Sequence, residues 1–458
     1  LRSWLRCRRK AWLDRHGDVN QRRWTAHRNL LLDDQQRSFV ALLPQKPGHG
    51  EAACAAGEDG VVGLRLKGVG PSGERVEAHP PLLLRVAGQS RWGPFAYQPV
   101  LARQGRRITR EHQLPLALMG HLLEAFQAGP VLELLVLGGG GRRLERERIR
   151  LTSGLRKQLS EALRKLKADL ERPQPPSLAA DRRKCTLCSW RESCSRVAAA
   201  DGHLSEVSGI GAKRRDMLQE LGIHGLNDLA SANPERLAVE MERFGEQHGD
   251  VARALVAQAM AQRDGLVERL DGTLALPELQ GAPGVLLYDI ESDPDARHDF
   301  LHGFLRLPRQ RDGRWDLAAA TYHPLLVLAE HGEQRSWLRL QCLLSRYDGW
   351  PILHYGETET LSLRRLAQRQ GASDAELRRL KRRLVDVHAR IRNHWRLPLS
   401  SYGLKSVAAW RGFRWSQSGV DGARALLWWR QWLGEGPKRR GSRHGLAWIF
   451  RYNQDDCR

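Results

Sequence analysis

The stretch VLLYDIESD, residues 285–293, constrains the chain more than any other. Its apolar start, Val285 to Tyr288, reads as a buried strand. Asp289 and Glu291 follow two positions apart, and side chains two apart on a strand project from the same face. Two carboxylates on one face repel unless a cation sits between them, and their oxygens suit a hard divalent ion. A strand of this kind therefore predicts a divalent-metal site beyond a rigid edge, and further acids must come from elsewhere in the chain.

Candidates lie downstream. A second apolar stretch, WPILHYGETETLSLRRLA, runs into a helical pattern and carries Glu357 and Glu359. At the end, YNQDDCR sets Tyr452 and Asp456 four apart, so on a helix they share a face. The tyrosine hydroxyl can then orient a water held on a metal by Asp456. Asp386 in LVDVH and Lys405 in SYGLK fit a pocket, and they fit a charged surface equally well. The chain stops two residues after Asp456 and starts on Leu1 rather than a methionine. Both ends read as those of a fragment, and a helix with no following turn is expected to fray at Asp456. Each acid taken alone has a bland alternative as a solvated surface charge.

Partners follow from charge. The chain has 74 Lys and Arg against 52 Asp and Glu, a formal net charge of +22. Basic surface of that extent replaces the counterions condensed on phosphates, so nucleic acid is the expected partner. No apolar run approaches the roughly 20 residues of a membrane span, and LRSWLRCRRKAWLDRHG is too charged for a signal-peptide core, so a cytoplasmic protein is expected. Fifteen tryptophans, three of them in WWRQW, can serve base stacking, yet the core is their commoner place and none is taken as a site.

Two further clusters carry chemistry. In GIGAKRRDMLQELGI, Gly209 and Gly211 flank Ile210, and Met217, Leu218 and Leu221 follow on a helical period. Glycines there let backbone N–H groups face a phosphate at a helix start, beside Lys213, Arg214 and Arg215. Of seven cysteines, Cys54, Cys342 and Cys457 are isolated, whereas Cys185, Cys188 and Cys194 crowd into CTLCSWRESC. Thiolates on one short loop suit a soft metal or an iron–sulfur cluster, which usually takes four ligands, and Cys7 is the obvious fourth.

These motifs resemble known families. YDIESD, HYGETE, YGLK and YNQDDC look like the DEDDy exonucleases of the ribonuclease-H-like superfamily, and most closely the ribonuclease-H-like domain that follows a RecB-like domain in a group of bacterial nucleases. The resemblance makes Asp289 and Glu291 the first acidic motif, Glu359 the second, with Glu357 near enough to compete, and Asp456 the third, with Tyr452 as water positioner. It implies two Mg2+ or Mn2+ ions on Asp289, Glu291, Glu359 and Asp456 that hydrolyse phosphodiester bonds, and it brings Asp386 and Lys405 to the pocket, Lys405 as a nucleic-acid contact. GIGAKRRDMLQELGI is similar to the helix-hairpin-helix motif, which implies DNA-backbone binding by Gly209, Gly211, Lys213, Arg214 and Arg215; a plain helical linker is the alternative.

At the other end, LRCRRKAWLD and C-x2-C-x5-C resemble RecB-like nucleases with an iron–sulfur staple. The resemblance implies a 4Fe-4S cluster on Cys7, Cys185, Cys188 and Cys194; zinc on the same residues or a chance trio are the alternatives. The chemistry of that family's nuclease site is replaced. Leu101 and Arg103 stand for its acid and lysine, Pro115 and Met119 for its Gln and Tyr, and Pro81 near its first Asp, leaving Glu77, His79 and Glu111 as displaced acids or donors. The expected fold is thus α/β and multidomain: a RecB-like (PD-(D/E)XK) domain, degraded as a nuclease, over residues 1–200, a small helical hairpin domain over 201–265, and a ribonuclease-H-like domain with a mixed sheet over 280–458. The expected function is a metal-dependent 3′–5′ exonuclease on single-stranded DNA carried on a DNA-binding platform. The alternative is a noncatalytic nucleic-acid-binding protein with both nuclease folds inactive.

Overall fold

The computed structural model describes residues 1–103, 107–138, 144–179, 182–294, 296, 298–328, 332–435 and 442–458. The chain divides into two units, Leu1–Ala179 with Lys184–Cys194, and Ala180–Arg183 with Ser195–Arg458. No helix among the described residues is long and apolar enough to cross a membrane.

The first unit is built on a six-stranded mixed sheet ordered Gly48–His49, Gly60–Val62, Leu82–Ser90, Gly93–Arg103, Glu133–Gly138 and Glu145–Arg150. The helix Arg110–Gln127 packs its apolar stripe, Leu114, Leu118 and Leu122, on the side of Leu83, Leu101 and Val136. Phe39 and Leu42 of the helix Ala26–Leu42 pack with Leu82, Val100 and Leu137 in a separate apolar cluster. Alternation along the strand Gly93–Arg103 explains how one strand serves both clusters.

In the second unit, five short helices between Ala212 and Asp264 close over Leu204, Val207, Ile210, Leu218, Leu237, Met241 and Leu255. A five-stranded sheet follows: β1 (Gly284–Asp293), β2 (His298–Pro308), β3 (Thr321–Leu326), β4 (Ile352–His354) and β5 (Leu384–Asp386), in the order β3-β2-β1-β4-β5. The pairs β1–β2 and β2–β3 are antiparallel, whereas β1–β4 and β4–β5 are parallel. The sheet is therefore mixed, as the sequence predicts.

Helices α1 (Gly332–Arg346), α2 (Glu357–Arg369) and α3 (Asp374–Arg383) pack on the face that carries Leu286, Tyr288 and Phe304. The odd residues of β1 point the other way, toward α7 (Ser442–Cys457), which packs on β1 and β2 and pairs with α6 (Gly422–Glu435). The remaining helices are α4 (Val387–His394) and α5 (Leu404–Trp410). On the α6 side, Phe300 of β2 stacks on Trp429 at 4.6 Å.

The expected fraying at Asp456 does not occur. Helix α7 runs through Cys457, whose side chain is buried, and the Arg458 N–H donates to the Gln454 carbonyl at 3.2 Å. The end is held by side chains rather than by further turns: the Cys457 thiol reaches the Gly303 carbonyl at 3.5 Å, and Asp455 accepts from the Ser416 N–H and hydroxyl at 2.7 and 2.6 Å.

Candidate active site

The register of β1 sets the site. Asp289 lies opposite Gly303 on β2 and Glu291 opposite Leu301, and a bulge follows between Glu291 and Ser292. Both acids leave the sheet on the face covered by α7. There they meet Asp456, and one carboxylate oxygen from each of the three lies within 4.8 Å of the others. Among the described residues this is the one grouping of three or more acidic, His or Cys ligands at that spacing.

The electrostatics are those of an uncompensated anionic pocket. Burial pushes the Asp289 carboxyl well above the usual range, and the nearby charges of Glu291, Asp456 and Glu359 push it further. Glu291 is raised well above its usual value by burial and then by Asp456, against hydrogen bonding from Asn453 and the charge of Lys405. Asp456 is raised by burial, opposed by hydrogen bonds from Trp415 and Tyr452 and by Lys405. Carboxylates so arranged attract a cation, and the oxygen donors suit Mg2+ or Mn2+.

Glu359 and Glu357 are separated by the geometry of the turn into α2. Gly356, at φ 114°, ends the β4 crossover in a backbone conformation that favours glycine, so α2 starts at once. Glu357 is exposed, whereas Glu359 is buried, with one carboxylate oxygen lacking any hydrogen-bond partner; it lies outside the trio of converging acids, although its charge still bears on Asp289. Burial raises its pKa to about 7, and Asp386 adds to the rise. Asp386 itself caps α4 through the Ala389 N–H at 3.2 Å and accepts from the Gly356 N–H at 3.0 Å, so it fixes the turn beneath Glu359.

Tyr452 is buried one helical turn from Asp456, and its hydroxyl is held protonated by burial and then by the charges of Asp456 and Glu291. The Lys405 ammonium stands 4.8 Å from the Tyr452 ring centre and 5.7 Å from that of Trp415, and donates to the Val420 carbonyl at 2.6 Å. A cleft of about 540 Å3 opens here, lined among others by Asp289, Asp456, Lys405, His388, Tyr355 and Ser401. Its size lies within the common range for ligand sites.

Three supporting residues escaped the sequence reading. Asn453 is fully buried, donates to Asp289 Oδ2 at 2.6 Å and accepts from the Tyr322 hydroxyl at 2.7 Å. It fits because position 303 is glycine: a Cβ there would lie 1.6 Å from the Asn453 amide oxygen. Trp415 donates from its indole to Asp456 Oδ1 at 2.6 Å. Only the adjacency of Asn453 to Tyr452 hinted at the first, and nothing local marked Gly303 or Trp415.

The other sequence-predicted residues fall as follows. Gly209, at φ 93°, and Gly211, which precedes the helix Ala212–Glu220, are exposed, as is Lys213. Arg214 donates to the Gly209 carbonyl at 2.8 Å, and Arg215 pairs with Asp216 at 2.8 Å. The helical segment is tied to the cleft side of the sheet domain, since Gln258 donates to the Leu397 carbonyl at 2.9 Å and accepts from the Tyr402 hydroxyl at 3.1 Å.

In the first unit, Cys7 precedes the helix Arg8–His16 and its sulfur accepts from the Lys10 N–H at 3.4 Å. The Cys188 N–H bonds the Cys185 carbonyl at 3.0 Å, and its sulfur accepts from the Trp190 N–H at 3.5 Å. Cys188 and Cys194 are raised by burial, with Cys7 adding to both. Leu101 is core, and Arg103 is buried with its Nε 2.9 Å from Glu147 and a terminal nitrogen 2.5 Å from Glu145. Pro115 and Met119 lie in the helix Arg110–Gln127, and Glu77 is exposed at the surface, paired with Arg65 and His79.

Residues 286–458 match the family described as the RNase_H superfamily. No curated protein matches the chain. The C-terminal domain is thus ribonuclease-H-like, with an acidic site where β1 meets the last helix.

Proposed function

We propose that this chain is a metal-dependent nuclease that shortens single-stranded nucleic acid, DNA ahead of RNA, from its 3′ end, using the acidic site of the ribonuclease-H-like domain. The observation that carries the reading is the convergence of Asp289, Glu291 and Asp456 within 4.8 Å. The donor set fits Mg2+ or Mn2+: it is all oxygen and anionic, and Glu359, outside the trio, offers a further buried oxygen with no hydrogen-bond partner. When bound, such ions lower the pKa of water and stabilise the charge on the leaving oxygen.

The chain's own residues do the rest. Asn453 and Trp415 fix the rotamers of Asp289 and Asp456, so the ligands need no reorganisation on binding. Tyr452, protonated and against Asp456, orients the attacking water. Lys405 brings positive charge to the cleft that receives the scissile phosphate. Water adds to that phosphorus, the bond to the 3′ oxygen breaks, and the oxygen leaves with a proton as the new 3′ hydroxyl while a nucleoside 5′-phosphate departs.

The rest of the chain reads as a DNA-binding platform. The exposed Gly209, Gly211 and Lys213 support a helix-hairpin-helix contact with a phosphate backbone. In the first unit the buried Arg103 among glutamates supports a RecB-like fold without nuclease chemistry. Cys7, Cys185, Cys188 and Cys194 would hold a 4Fe-4S cluster, and backbone N–H groups point at the sulfurs of Cys7 and Cys188. The test is cleavage of 5′-labelled single strands with Mn2+. Stepwise shortening that disappears in Asp289→Ala supports the nuclease; activity that survives Asp289→Ala overturns it, and binding without cleavage in the unmodified chain favours the noncatalytic alternative.

A further inference from the structure

Outside the acidic cleft, helix α7 carries an exposed aromatic group that the proposed chemistry does not use. Trp448, Tyr452 and Asp456 are spaced by four residues, so they form one stripe along the helix, with Trp448 about 12 Å from Asp456 along the axis. Trp448 is 45% exposed, an unusual position for an indole in a domain that buries Trp429 and Trp337. Its ring leans against Trp428 of α6, with centroids 5.3 Å apart and planes at 45°. The Arg424 guanidinium lies over the Trp428 ring at 5.6 Å. Farther along the stripe, Lys405 lies over Tyr452. A cation–ring contact thus stands at each end of the stripe.

We infer that Trp448, backed by Trp428 and Arg424, is a base-stacking platform for the single strand whose end lies among Asp289, Glu291 and Asp456. This rests on the function proposed above and assigns it a substrate-holding surface. Two features on the molecule favour a nucleic-acid strand over a protein as the occupant. The platform shares a helix face with the hydrolytic site, and a chain of net charge +22 favours a polyanion. Its distance from Asp456 suits bases a few positions back from the cleaved end. An indole face stacks on any base, so the platform predicts preference for unpaired strands with little sequence selectivity.

The experiment uses the full chain, with metal chelated so that nothing is cut, and dye-labelled single-stranded oligonucleotides in an anisotropy titration. Trp448→Ala should weaken binding by about 5- to 100-fold, the loss of one base stack. Trp448→Phe should retain most of the affinity because it keeps an aromatic face. Trp448→Leu should bind as poorly as the alanine variant while melting close to the unmodified chain, since it still packs on Trp428. Oligonucleotides with single abasic positions should show one position near the 3′ end where the unmodified chain loses affinity and Trp448→Ala loses no more. Full affinity in Trp448→Leu, or an abasic scan with no such position, overturns the platform. Failure of the unmodified chain to bind single strands at all overturns the proposed function with it.

Discussion

Gly303→Ala is the sharpest test of how the site is held. Gly303 lies on β2 directly opposite Asp289, and the Asn453 amide occupies the space where a side chain would be. An added Cβ would lie 1.6 Å from Asn453 Oδ1, 2.8 Å from its Cγ and 2.9 Å from the Tyr322 hydroxyl. Asn453 is fully buried and has nowhere to move, so its bond to Asp289 and the one from Tyr322 must break. Loss of a hydrogen bond to a charged group costs about 1.5–3 kcal/mol, a neutral one about 0.5–1.5, and forcing a methyl into packed space about 1–3. Even the low ends together reach about 3 kcal/mol, which corresponds to a fall of roughly 6–12 °C in the melting temperature of a domain this size.

The functional loss should be sharper than the melting shift suggests, because Asp289 loses the group that fixes its rotamer. Residues that orient metal ligands in this way typically account for about 10–100-fold in metal affinity or activity. The assay is a Mn2+ titration of oligonucleotide cleavage beside a thermal melt. Gly303→Ala should require more Mn2+ for half-maximal rate. In an Asn453→Ala background the same methyl meets little but the Tyr322 hydroxyl, so the two changes should couple by about 1 kcal/mol or more rather than add. A Gly303→Ala chain with unchanged melting and metal titration, or a strictly additive double variant, refutes the Asn453 clamp.

Other perturbations separate the remaining roles. Glu359 titrates near 7 in the fold against a usual 4.5, so the folded chain holds this proton more tightly than the unfolded one. Without divalent metal its contribution is therefore present below about pH 4.5 and is lost as pH rises toward 7, at most about 3 kcal/mol. Melts in EDTA across that window should fall with pH, Glu359→Gln should make the fall shallower while leaving the part due to Asp289, Glu291 and Asp456, and Mn2+ should reverse it. Tyr452→Phe keeps the ring under Lys405 and removes only the hydroxyl at Asp456, so kcat should drop about 10–100-fold with oligonucleotide affinity intact. Cys7→Ser should lower the iron and sulfide content of anaerobically purified protein and the melting temperature of the first unit; zinc in place of iron in the parent chain would move the site to the zinc alternative.

What the sequence made legible was what repeats with a local period. The odd–even alternation of VLLYDIESD put Leu286 and Tyr288 in the core and Asp289 and Glu291 on the opposite face, and the four-residue step from Tyr452 to Asp456 became one helix face. The choice between Glu357 and Glu359 was not local. It turned on where α2 begins after Gly356, since a start one residue later would rotate both glutamates by about 100°. Fraying at Asp456 was the wrong inference from a sound rule. Helix ends without further turns do fray when only backbone bonds hold them, but this end is fixed by Asp455 on Ser416, Trp415 on Asp456 and Cys457 against Gly303, contacts from residues about 40 and about 150 positions away. Those contacts also make Asp456 and the last turn of the helix one structural unit. Asn453, two residues before Asp455, reaches across Gly303 to Asp289, so the strand that starts the domain and the helix that closes it are locked at the acids themselves. A perturbation that loosens the last turn must therefore disorder the site before it unfolds the sheet, and loss of metal-dependent activity should precede loss of structure along any denaturation path.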